Sequence, residues 1–245
     1  MLSENKKLNE MKRIAGLPAF ERPVTVRLKF RKVGKLQYIS HLDLQRTFMR
    51  VIARACIPAW YTKGFNPHAK LVFSTPLSVG AESEYEFLDI RIDKDMPPET
   101  IKDRLNGELT EELRISEAYI PESDFSEIAW SDYEIAICTA GASEDMAKEL
   151  YSAITTSPLT VVKKTKSGEK EIDIVPLIKT ADVSYDGEVI RIRTTLRATV
   201  SEFLNPELLI TGLKQSCGIL SGDLSSEWYT ILRTAIRRED LTLFR

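Results

Sequence analysis

From residue 24 the chain alternates. Val24, Val26, Leu28 and Phe30 are apolar, and Thr25, Arg27, Lys29 and Arg31 between them are polar. A period of two predicts a half-buried strand with a basic outer face. Ser40 then opens a different pattern. Ser40 with Asp43 three residues on fits a capping box, and Leu44, Phe48, Val51, Ile52 and Ala55 follow at helical spacing until Pro58. A turn-rich stretch, 61–68, leads into a strand at 71–73. Pro76 and Gly80 break it, and Leu88, Ile90 and Ile92 alternate in a strand over 84–92. Pro97 and Pro98 begin a helix carrying Ile101, Leu105, Leu109 and Leu113, and a short strand is expected near 115–120. Strand, helix, strand, strand, helix, strand is the ferredoxin-like order.

The acidic stretch 121–130 lacks a pattern and marks a boundary. Beyond it, Tyr133, Ile135 and Ile137 predict a strand, and Ser143 with Met146, Leu150 and Ile154 a helix. Residues 159–165 and 170–175 flank Ser167-Gly168, and Asp186-Gly187 separates two further strands; both are hairpin signals. Pro206 to Leu213 reads as a helix. So does the start of the last segment from Trp228, with Ile231, Leu232, Ala235 and Ile236 on one face and Arg233, Arg237 and Arg238 beside them. The expected class is α+β, with two ferredoxin-like (βαββαβ) modules on antiparallel sheets: a flexible tail at 1–23, one domain at 24–122 and a second at 131–245. No primary-sequence repeat relates the halves.

Charge changes the picture more than size does. The 245 residues carry a net charge of −2, which hides +11 in residues 1–75 and −10 in residues 76–130. The two blocks either neutralise each other within the fold, or form a basic surface for phosphate and an acidic one for a protein partner. No uncharged apolar run reaches the roughly 18 residues of a membrane span, and residues 1–23 hold no apolar stretch of signal-peptide length. Three widely spaced cysteines, Cys56, Cys138 and Cys217, form no disulfide framework. A cytoplasmic protein without membrane contact is expected.

Absent motifs exclude several chemistries. There is no phosphate-binding G-x-x-x-x-G-K-[ST] or G-x-G-x-x-G loop, no C-x-x-C or H-E-x-x-H, and no G-x-S-x-G. No metal site and no cofactor is expected, and the three cysteines are too far apart for an iron–sulfur cluster. What remains is concentrated in residues 38–80, which hold both histidines, His41 and His68. The candidate substrate-binding set is Tyr38, Ser40, His41, Asp43, Arg46, Lys63, Gly64, Phe65, Asn66, His68 and Lys70. His41 sits at a helix start, where amides favour anions. Gly64 to His68 has the turn chemistry for close approach to a ligand. Phe65 is an aromatic in a polar loop, able to stack on a base or to plug a core edge. Asp43 reads as a cap, and Arg46, Arg50 and Arg54 as a stripe that is either solvated or phosphate-binding. No catalytic residue is assigned.

The words of the motif are specific. Tyr38-Ile39-Ser40-His41-Leu42-Asp43, Arg46, Gly64-Phe65-Asn66-Pro67-His68, and Pro76-Leu77-Ser78-Val79-Gly80 with Glu84 and Asp89 resemble the radical SAM-linked family of bacterial proteins. These are encoded beside, or fused to, a radical S-adenosylmethionine protein. A second stretch, Lys170 to Ile178, resembles it more weakly: Val175 stands where that family often has arginine. The resemblance spans roughly residues 24–220 and implies a radical SAM partner, here a separate chain because this one lacks cluster cysteines. It supplies no reaction. The expected function is an accessory substrate-binding protein, with RNA the favoured substrate class from the basic block and Phe65. The rivals are an adapter that docks the partner through residues 76–130 without nucleic acid, and a small acid–base enzyme using His41, Asp43 and His68.

Overall fold

The computed structural model describes residues 4–156, 158–165, 168–223 and 225–245. It is a mixed α+β protein with mostly antiparallel sheet. The chain divides into two compact units, Met1–Asp124 with Arg245 and Phe125–Phe244, so the division falls inside the acidic stretch 121–130.

The first unit contains α1 (Glu4–Ala15), β1 (Ala19–Lys32), α2 (His41–Arg54), β2 (Leu71–Phe73), β3 (Ala81–Lys94), α3 (Pro98–Asn106) and β4 (Ile115–Tyr119). β1 lies between β4 and β3, and β2 pairs with β3. Val26, Leu28 and Phe30 face Ile90, Leu88 and Glu86 across the β1–β3 ladder. Their inward side chains meet Leu44, Phe48, Val51 and Ile52 of α2 and Ile101 and Leu105 of α3 in one core. Burying each such side chain stabilises by about 1.5–3 kcal/mol. On the opposite face Arg27 stands beside Asp89. Its Nε and Nη2 donate to the carboxylate at 2.7 and 2.9 Å, and Nη1 donates to Ser123 at 2.8 Å. Arg27 is 1% exposed.

The second unit contains β5 (Trp130–Cys138), α4 (Glu144–Thr155), a hairpin of β6 (Thr160–Thr165) and β7 (Gly168–Asp173), then β8 (Ile178–Tyr185), β9 (Ile190–Arg197), α5 (Pro206–Cys217) and β10 (Trp228–Arg237). Its sheet runs β10-β5-β9-β8, and β6–β7 pair only with each other. Ser143 caps α4 by accepting from Met146 N at 3.2 Å. Asn205 caps α5, which ends on Gly218 at φ 69°, a left-handed stop that favours glycine.

Three expectations are corrected. Residues 1–23 are not without structure: α1 occupies 4–15, and β1 begins at Ala19. The apolar residues of α1, Leu8, Met11 and Ile14, fall at helical spacing, but only Ile14 is buried. The helix is held by Ile14 in the core and by ion pairs from Lys7 to Glu108 and from Arg104 to Glu10. The helix from Pro98 stops at Asn106, so Leu109 and Leu113 lie beyond it. The segment from Trp228 is a strand, not a helix. It pairs with β5 along its length, and a bulge between Arg233 and Ala235 inserts one residue. That extra residue turns an alternating pattern into one that mimics helical spacing. Of the Ser167-Gly168 hairpin signal, Ser167 lies outside the described residues.

Candidate functional site

The motif around residues 38–43 and 76–80 closes a small cavity in the first unit. It is lined by Lys32, Ile39, Ser40, His41, Leu44, Phe73, Thr75, Leu77 and Glu86. Two tight segments beside it are tied together. A 3-10 turn at Gly34–Tyr38 feeds α2, and Gly80 N donates to Gln37 O at 2.9 Å, tying 76–80 to that turn. Gly34 and Gly80 have φ of 61° and 91°, which a side chain would strain. Gly34 N also donates to Glu82 at 2.5 Å.

Each candidate residue has a place. Ser40 Oγ accepts from Asp43 N at 3.1 Å and donates to the Asp43 carboxylate at 2.7 Å. The Ser40 hydrogen bond, with Arg46 nearby, holds the Asp43 carboxyl below its usual range. Asp43 therefore serves as a helix cap. The His41 ring packs edge-on against Phe73 at 4.9 Å, extending a cluster of Phe30, Phe48 and Phe73. Tyr38 is exposed at the end of the 3-10 turn. Lys63, Asn66 and His68 do not line the cavity. They belong to a loop of their own.

That loop is an excursion from the edge of β3. Ala59 pairs with Ile92, Trp60 N donates to Arg91 O at 2.7 Å, and the chain returns where Leu71 pairs with Ile90. The neck is closed by pairing of Tyr61 with Ala69 and by Thr62 N donating to His68 O at 3.0 Å. His68 N donates to Thr62 Oγ1 at 3.2 Å, and His68 Nδ1 lies 3.1 Å from Asn66 O. Gly64, at φ 142°, turns the tip. Phe65 stands there with 110% relative exposure. Lys63 and Lys70 flank it, both exposed.

Electrostatics narrow the basic surface. Much of the positive block is neutralised inside the first unit: Lys7 and Arg54 by Glu108, Lys29 by Glu117, Arg31 by Glu111, Arg46 by Asp43. Of the stripe on α2, Arg50 is exposed and makes none of these pairs. Sequence reading missed the charged lining of the cavity. Lys32 and Glu86 are buried at 3% and 4% exposure, and Thr75 is buried too. The signal lay in the parity: Lys32 continues 26, 28 and 30, and Glu86 precedes 88, 90 and 92, so each puts a charge on an inward position. Lys32 Nζ donates to Gln37 O at 3.2 Å. With an ammonium and a carboxylate inside and an imidazole at the mouth, the cavity offers both donors and acceptors in little space. Among the described residues no group of three His, Cys, Asp or Glu is gathered for a metal, and no helix is long and apolar enough to cross a membrane. The cysteines are free.

The model of a bacterial family matches residues 25–206, through both units. The chain belongs to the DUF2344 family. That family is described as an uncharacterized protein conserved in bacteria. No curated protein matches this DUF2344 member. Among solved structures, a Cbf5-Nop10-Gar1 complex chain aligns with TM-score 0.45 and 9% identity, over 89% of this chain and 51% of that one. A protein from Galdieria sulphuraria, titled unknown, aligns with TM-score 0.27 and 8% identity, over 86% and 99%.

Proposed function

We propose that this DUF2344 protein is an accessory RNA-binding protein that presents substrate to a radical S-adenosylmethionine enzyme on a separate chain. Each unit is read as a ferredoxin-like module, because both place their strands in the order fourth, first, third, second. The radical SAM partner rests on the gapped motif of residues 38–89. The RNA half rests on one observation: Phe65, wholly exposed, on a loop between Lys63 and Lys70. Leaving a phenylalanine in water forfeits about 1.5–3 kcal/mol of burial, which a partner surface recovers.

RNA affinity measured over a range of salt concentrations tests this. Phosphate contacts release counterions, so affinity should fall steeply as salt rises. Replacing Arg50, Lys63 and Lys70 with alanine should flatten that slope by up to about one unit per lost contact. No binding by the folded protein at low salt sinks the reading. The adapter reading would then lead, although Glu108, Glu111 and Glu117 of its acidic segment are engaged within the unit.

A further inference from the structure

Resting on that RNA reading, we propose that the loop at 61–69 takes single-stranded RNA, with one unpaired base stacked on Phe65. Three features of the loop point there. The stem is fixed: residues 59–60 and 71–73 are hydrogen-bonded along β3, and Tyr61 pairs with Ala69. The ring at the tip is fully exposed, packed against none of the described residues. The flanking charge is positive, from Lys63 and Lys70, while Tyr61 at the neck offers a second, half-exposed ring.

A duplex hides its base faces within the stack, so a ring at a loop tip meets only edges and backbone. An unpaired base presents a free π-face, and stacking on an aromatic tolerates any sequence. Lys63 beside the tip and Lys70 just past the neck supply positive charge for the phosphates of such a strand. The loop therefore combines stacking with charge in the manner of single-strand platforms, without a groove-sized element to enter a helix.

The experiment compares two probes on the full chain by fluorescence anisotropy at low salt: a labelled RNA of about 12 nucleotides and its blunt duplex. The single strand should bind more tightly. Phe65→Ala should weaken it by roughly 5- to 150-fold and leave the duplex unaffected, while Phe65→Trp retains the preference. The melting temperature should not move, because the ring supports no packing. A duplex that binds as tightly as the strand, or a Phe65→Ala loss equal for both, overturns this proposal and leaves the RNA reading standing. Binding of neither form overturns the RNA reading and this proposal with it.

Discussion

The two units solve one topological problem with different expenditure of chain. In each, a first strand is followed by a helix, then by a pair of strands, a second helix and a last strand, and the sheet orders are β4-β1-β3-β2 and β10-β5-β9-β8. They diverge between the first helix and the second strand. The second unit fills that interval with the β6–β7 hairpin and then lays down β8, an eight-residue strand. The first has only three residues of strand there, β2, and gives the preceding stretch to the loop that exposes Phe65. One unit uses the insertion point for backbone pairing, the other for exposed side chains. A loop that leaves a large apolar ring in water gains no folding stability from that ring.

Each unit also buries an arginine at 1% exposure, and these give the largest expected effect. Arg27 faces a full counter-ion, the Asp89 carboxylate. In the second unit Arg233, also 1% exposed, has the Tyr133 hydroxyl among its partners, donating to it through Nε and Nη2 at 3.1 and 2.9 Å. Arg27→Ala leaves a partly buried carboxylate without its cation and should cost about 3–5 kcal/mol. Tyr133→Phe removes a single hydroxyl and should cost about 1–3 kcal/mol. Denaturant unfolding of both variants measures this. Equal losses would mean that the Tyr133 hydroxyl carries as much stability as the Arg27 cation, and this ordering would fall.

Legibility differed along the same line. The alternation of Val24 to Phe30 and of Leu88 to Ile92 named β1 and β3 because each has one face in the core. Ser40 and Ser143 announced α2 and α4 through cap chemistry. Asp186-Gly187 marked the β8–β9 turn, where Asp186 Oδ1 accepts from Val189 N at 2.9 Å and Gly187 takes φ 96°. What sequence hid was set by tertiary partners. β10 carries a bulge that only pairing with β5 reveals, and α1 is anchored by Ile14 and by ion pairs to residues far along the chain. In the site, Phe65 and its flanking lysines were legible as a loop. Lys32 and Glu86 were not, because a charge on an inward position means something only once the register is known.

Acid separates the units next. In the first, Arg13 and Arg104 hold the Glu10 carboxyl down at about 2, against an ordinary 4.5. In the second, Glu227 accepts from Ala140 N, Thr139 Oγ1 and Gly222 N, and these bonds depress its pKa. A pKa lowered on folding contributes stability that is present above the unfolded value and lost as pH falls through the folded one. Stability should therefore drop on acidification below about pH 4.5. Glu10→Gln should flatten that limb in the first unit and Glu227→Gln in the second. Trp60 fluorescence reports the first unit and Trp130 and Trp228 the second. If either glutamine variant left its own unit's acid limb unchanged, that carboxylate would not be the group responsible.

The smallest expected difference lies in the two serine caps, and it tests whether the motif at 40–43 is spent on folding. Ser40 and Asp43 engage each other twice, the hydroxyl accepting from the Asp43 amide and donating to its carboxylate. Ser143 makes only the amide bond, because its third-position neighbour is Met146. Removing a serine cap costs roughly 0.5–2 kcal/mol. Ser40→Ala should lie toward the upper end of that range, since it also strips a hydrogen bond from a charged group, and Ser143→Ala toward the lower. Asp43→Ala should destabilise α2 measurably, whereas Met146→Ala should leave the α4 cap intact. Thermal melts of the four variants decide it. If Ser40→Ala and Asp43→Ala melt like the wild type, the pair does not stabilise α2, and its place beside the His41 cavity becomes the reason to look there for ligand contacts.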